Sequence, residues 1–153
     1  MKVAVGADHA GLELKERVKR ALAALGHEVV DVGTHGGESV DYPDYAIPVA
    51  ERVARGEADR GVVVCATGIG ASIAANKVPG VRCALVTSAE AARLTRQDND
   101  SNVIALAGRF GAPHDEQLAW LATWLDTPFA GGRHARRVGK IESYERARGA
   151  TEE

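Results

Sequence analysis

The chain has 153 residues, with 19 Lys plus Arg against 21 Asp plus Glu and a formal net charge of −2. That length suits one domain with a core of its own, and the balanced charge provides no basic field to recruit nucleic acid. No apolar run approaches the ~20 residues a membrane span needs, and Cys65 and Cys83 are too few and wrongly spaced for a disulfide framework or a metal site.

In chain order, residues 2–7 (KVAVGA) read as a strand whose apolar run is too short for a signal peptide. A reducing, cytoplasmic setting is therefore expected. The strand ends at Asp8-His9-Ala10-Gly11. Apolar residues then recur at Leu14, Val18, Leu22 and Leu25, spacings of four, four and three that make one helix face, which Gly26 stops. Residues 27–32 (HEVVDV) form a second strand. A polar, Gly-rich loop over 34–44 carries Tyr42 and Pro43, and a helix over 45–55 has Pro48 near its start and Gly56 at its end.

Val62-Val63-Val64, β-branched throughout and preceded by Gly61, reads as a strand buried on both faces. It runs into Cys65-Ala66-Thr67-Gly68-Ile69-Gly70, where two glycines allow a tight turn with backbone N–H groups left free. Residues 72–77 continue as the start of a helix. Unpaired amides and the helix dipole then meet at the turn as an anion cradle holding a thiol, Cys65, and a hydroxyl, Thr67. This turn is the expected active site.

Residues 82–86 (RCALV) form a fourth strand, Ser88 caps a helix running to about Arg96, and residues 103–107 (VIALA) form a fifth strand. Pro113 opens a helix carrying Leu118, Leu121, Trp124 and Leu125, which the stretch 127–132 breaks. A basic helix over 133–148 follows, with 149–153 as a frayed tail. A single domain over 1–148 results. Strands alternating with helices predict an α/β fold, a parallel sheet with helices on both faces and right-handed crossovers. Ligands of such folds bind at the carboxyl ends of strands. Asp8 and His9 follow strand one, Cys65 and Thr67 strand three, Asp98 and Asn99 the fourth helix, and Arg109 strand five; these residues are expected to converge.

Each candidate has a plainer alternative. Cys65 could be a small buried hydrophobe, although its place before a Gly-rich turn and a helix N-terminus favours a lowered thiol pKa. Cys83, in an apolar strand, reads as core. Asp8 could simply cap a helix, with His9 beside it favouring ligand contact. Arg133, Arg136, Arg137 and Lys140 could be a solvated face, yet Arg133 and Arg137 stand four apart and could clamp one phosphate. Gly68-x-Gly70 is not a dinucleotide fingerprint, because position 73 is Ile and the turn follows the third strand; no Walker lysine follows either. His27, His35 and His114 read as surface or loop residues, and no metal spacing is present. Neither a metal nor an organic cofactor is expected.

GADHAG near the N-terminus, DYPDYA at 41–46, CATGIG…SIAANKVPGVRCAL at 65–85, NDSNVIALAGR at 99–109 and GGRHARRV at 131–138 resemble the type B ribose-5-phosphate isomerases and the related galactose-6-phosphate isomerase subunits. The likeness runs from residue 2 to about 148, with the blocks in order. It implies a three-layer α/β/α Rossmann-like sandwich with a five-stranded parallel sheet. It further implies a homodimer, in some members paired into tetramers, with active sites shared between subunits and the C-terminal helix packing on the partner. The implied reaction is a metal-free aldose–ketose isomerisation of a sugar phosphate through a cis-enediolate, with no membrane or nucleic-acid partner.

By position, the resemblance makes Cys65 the base between C1 and C2, Thr67 its assistant on the sugar oxygens, and Ala66, Gly68, Ile69 and Gly70 the anion hole. Asp8, His9, Tyr42 and Asn99 would contact sugar, and His9, Arg109, Arg133 and Arg137 would bind phosphate. That chemistry suits the residues: removing a proton beside a carbonyl needs a placed base and donors for the oxyanion, each worth about 3–4 kcal/mol.

Two positions depart from the pattern. Ala66 stands where many members have Gly, and Asp98 where ribose-phosphate isomerases usually have the His that opens the furanose ring. An Asp with its ordinary pKa near 4 is a poor proton donor at neutral pH. Either Asp98 opens the ring slowly, or the substrate is another sugar phosphate, such as a hexose 6-phosphate or a tetrose 4-phosphate, the last having no furanose to open. Two other classes compete: a receiver domain, disfavoured because Cys65 replaces its phospho-accepting Asp, and a non-catalytic sugar-phosphate binding module, disfavoured by Cys65 and Thr67 occurring together.

Overall fold

The computed structural model describes residues 1–152. Five strands, β1 (Lys2–Ala7), β2 (Glu28–Gly33), β3 (Arg60–Cys65), β4 (Cys83–Leu85) and β5 (Val103–Ala107), form one sheet in the order β2-β1-β3-β5-β4. Every pairing is parallel. The helices are α1 (Leu12–Ala24), α2 (Pro43–Ala54), α3 (Ile69–Ala75), α4 (Ala89–Asn99), α5 (His114–Asp126) and α6 (Arg133–Glu152).

Strand periodicity sorts them into layers. Val3, Val5, Val62, Val64, Ile104 and Leu106 pack against Leu14, Val18 and Leu22 of α1, Ala92 of α4, and Leu121 and Trp124 of α5. The alternate residues Ala4, Val63, Cys65, Val103 and Ala105 face Val49 and Ala50 of α2 and Ala71, Ala74 and Ala75 of α3. The result is the α/β/α sandwich. Cys65 thus faces the α2–α3 layer, at the carboxyl end of the central strand.

Several boundaries differ from the sequence expectation. Helix α2 starts at Pro43 because Tyr42 already has helical dihedrals and proline is tolerated at the first helical position. Helix α3 starts at Ile69 rather than 72, on Gly68, whose φ of 77° supplies the left-handed turn. Helix α4 is capped by Ser88, whose side chain accepts from the Ala91 N–H, and runs on to Asn99. Helix α6 runs past Arg148 to Glu152; residue 153 lies outside the described residues. No helix among the described residues is long and apolar enough to cross a membrane.

Candidate active site

The chain leaves β1 and β3 in opposite directions along the sheet, β1 toward β2 and β3 toward β5, and such a switch point opens a crevice at the strand ends. Asp8 sits there, its N–H donating to the Val64 carbonyl at 3.3 Å. Its buried carboxylate accepts from the Gly11 N–H at 3.0 Å, so Asp8 does cap the short 3-10 turn His9–Gly11. His9 Nδ1 accepts from the Val40 N–H at 3.1 Å, which ties it to the loop before α2.

On the other side of the crevice lies the cradle. Cys65 ends β3 and is 4% exposed. Its carbonyl accepts from Gly108 at 2.8 Å, and the Ala66 carbonyl accepts from Arg109 and Phe110 at 3.0 and 2.9 Å, which brings the exposed Arg109 beside the turn. The amides expected to be free are not all so. Thr67 Oγ1 accepts from the Ile69 N–H at 3.1 Å, so Ile69 is engaged by the hydroxyl the sequence places beside it. The first intrahelical bond of α3 runs from Ser72 to Gly68, and so Gly68, Gly70 and Ala71 keep N–H groups with no acceptor within the helix. Ala71 was missing from the expected set.

Tyr42 closes the cradle from above. A methyl group on Gly70 would stand 2.6 Å from Tyr42 Cζ, so the phenol ring lies on the glycine.

Asp98 and Asn99 do not join this group. They are the last residues of α4, and the chain after them enters β5 at Val103, whereas Cys65 is level with Ala107 at the other end of that strand. Those four strand steps alone are about 13 Å. Arg133 and Arg137 lie with Asp98: Ala130 N–H donates to the Gln97 carbonyl at 3.1 Å, and His134 Nε2 is 3.4 Å from Asp98 Oδ1. The expected convergence therefore fails within one chain. Two clusters occur at opposite ends of the sheet, one of Asp8, His9, Tyr42, Cys65, Thr67 and Arg109, the other of Asp98, Asn99, Arg133, His134 and Arg137.

Cys83 opens β4 and is only partly buried, packed against the edge of the α2–α3 layer rather than within the core as expected; desolvation still pushes its thiol up to about 12. Among the described residues no three His, Cys, Asp or Glu side chains gather as a metal site requires.

The family model for ribose/galactose isomerases matches residues 3–141. The chain belongs to the ribose/galactose isomerase family. It is an intramolecular oxidoreductase, an aldose–ketose isomerase of sugar phosphates. Ribose-5-phosphate isomerase B of Escherichia coli is 42% identical over 147 residues, 96% of this chain and 98% of that protein. The solved ribose-5-phosphate isomerase B of Clostridium thermocellum is 52% identical, with a TM-score of 0.93 over 96% of this chain and 99% of that one. The structure from Mycoplasma genitalium, with bound ribulose 5-phosphate, is 39% identical with a TM-score of 0.91, covering 95% and 96% of the two chains.

Within this family frame, His134 is the residue that sequence reasoning passed over. Its signal was its place inside GGRHARRV, between two arginines already singled out.

Proposed function

We propose that the protein interconverts ribose 5-phosphate and ribulose 5-phosphate through a cis-enediolate, with Cys65 as the base. The observation that carries this is the placement of Cys65: a nearly buried thiol at the end of the central strand, beside the opening amides of α3 and the Thr67 hydroxyl. As thiolate, Cys65 takes the proton from C2 of the open-chain aldose and returns it to C1. Thr67 assists proton exchange between O1 and O2, and the amides of Gly68, Gly70 and Ala71 meet the oxyanion. Asp8 and Tyr42 contact sugar hydroxyls, while His9 and Arg109 hold the phosphate end and supply binding energy remote from the reacting carbons.

The remaining groups come from a second copy of the chain. Asp98, Asn99, Arg133 and Arg137 cannot reach the same substrate from their own subunit, so the active unit is a homodimer in which the α4–α6 junction of one chain faces the cradle of the other. Ile69 and Ile73, 52% and 56% exposed and one turn apart on α3, give that contact an apolar patch beside the cradle.

A second reading rests on Asp98. Its carboxylate stands 3.4 Å from His134 Nε2, so the position that would open a furanose carries a carboxylate against an imidazole in place of a lone imidazole. This favours a substrate with no ring to open, a tetrose 4-phosphate. The test is kcat/KM on ribose 5-phosphate and erythrose 4-phosphate side by side, without added metal. A clear win for ribose 5-phosphate supports the first reading. A tetrose preference of about tenfold, equivalent to 1.4 kcal/mol, supports the second; turnover of neither overturns both.

A further inference from the structure

Lys15 is on α1 with its side chain wholly buried, at 0% exposure, and the isomerisation as described does not use it. Its ammonium donates to Asp31 Oδ1 at 2.7 Å and to the Thr34 carbonyl at 2.7 Å. Asp31 Oδ1 also accepts from the Gly33 N–H at 2.9 Å, and Oδ2 meets Lys19 Nζ at 2.8 Å. Thr34 is fixed from its other side by donating to the Ala7 carbonyl at 2.7 Å, at the end of β1. Burying an ammonium is costly, and an apolar side chain of equal volume would fill the space without that cost. A charge kept there needs a use beyond packing.

The use lies in the segment Thr34 begins. Residues 34–42 run from β2 to α2 as a strap across the crevice. At the tip, Gly36 and Gly37 have nothing within 4 Å of where a side chain would start. Beyond the tip, Val40 donates its N–H to His9 Nδ1, and Tyr42 lies on Gly70. A neutral imidazole that accepts at Nδ1 carries its proton on Nε2. We propose that Lys15 is a positioning residue: by pinning Thr34 it sets the strap so that Val40 holds His9 in the Nε2–H form, the donor offered to the substrate phosphate. This rests on the assignment of His9 to phosphate binding above.

The test is made on the full-length protein in two steps. Two-bond proton–nitrogen NMR of ligand-free protein reads the His9 tautomer, and steady-state kinetics on the preferred sugar phosphate separate KM from kcat. In the wild type, His9 is expected as the Nε2–H tautomer. Lys15→Met is expected to mix the tautomers and to raise KM about tenfold, the loss of one charge-assisted hydrogen bond, with kcat held within about threefold. Val40→Pro, which deletes the donor itself, is expected to do the same. Lys15→Gln replaces Lys15→Met if the latter does not fold. A folded Lys15 variant with an unmixed tautomer, or with mixed tautomers and unchanged KM, overturns the proposal. Failure of the isomerase assignment is seen separately, as a wild type that turns over no sugar phosphate.

Discussion

Asp98 Oδ1 and His134 Nε2 stand 3.4 Å apart across the junction of α4 and α6, with the His134 side chain 14% exposed and that of Asp98 42%. The carboxylate is thus the member of the pair that a substrate can touch, and the imidazole stands behind it. Asp98→His places at this position the imidazole that the resemblance makes the ring opener. It is expected to raise kcat/KM on ribose 5-phosphate by about tenfold or more, within the range of general acid–base catalysis, and to leave erythrose 4-phosphate within about twofold. Equal effects on the two sugars would remove ring opening as the explanation.

Cys65→Ala removes the proposed base and little volume. Turnover is expected to fall by about a thousandfold or more, while ribulose 5-phosphate, followed by calorimetry, still binds within about threefold. Cys83→Ala is the contrast, since that thiol is held protonated by burial; its kcat is expected to match the wild type. An unchanged rate in Cys65→Ala would take the base away from this residue.

Gly70→Ala sets two effects against each other. Alanine gains about 1 kcal/mol of helix propensity over glycine, but its methyl would overlap the Tyr42 ring at 2.6 Å from Cζ. Tyr42 is 39% exposed and can swing outward, so the clash is relieved without disturbing the core. Stability should stay within about 1 kcal/mol of wild type, while kcat/KM falls. In Gly70→Ala/Tyr42→Ala the two losses should not add, because one displacement causes both.

Asp31 gives the fold an acid-sensitive joint. Burial alone would raise its pKa, but the bonds from Lys15, Lys19 and Gly33 outweigh that and hold it below the ordinary carboxylate value. A depressed folded pKa contributes stability that is present above the unfolded value, near 3.9, and is lost as pH falls through the folded one. Chemical denaturation of Asp31→Asn and wild type between pH 7 and pH 3 is therefore expected to show a stability gap at neutral pH that narrows below about pH 4. A constant gap would mean that the carboxylate charge is not what holds the strap.

Much of this was legible in the sequence. The valines of β3 and the VIALA of β5 could only be buried strands, and the Cys65–Gly70 turn announced itself by two glycines between a strand and small helical residues. The partition into two clusters was also within reach, because a segment following a helix returns to the amino end of a parallel sheet, so Asp98 could not lie beside Cys65. What local pattern could not give was partner choice. Lys15 and Lys19 read alike on α1, yet one is enclosed and the other is not, since that depends on where Asp31 arrives from β2. The engagement of the Ile69 amide by Thr67 was likewise a matter of one rotamer.

The separation of the two clusters has a genetic consequence. If each catalytic centre draws on two chains, an allele damaged at Cys65 and an allele damaged at Arg137 complement each other. In a cell carrying both, half of the dimers are mixed, and each mixed dimer assembles one centre from the two undamaged halves. About a quarter of the wild-type centres survive, as two-fold symmetry requires, although neither allele alone supports growth on the pathway.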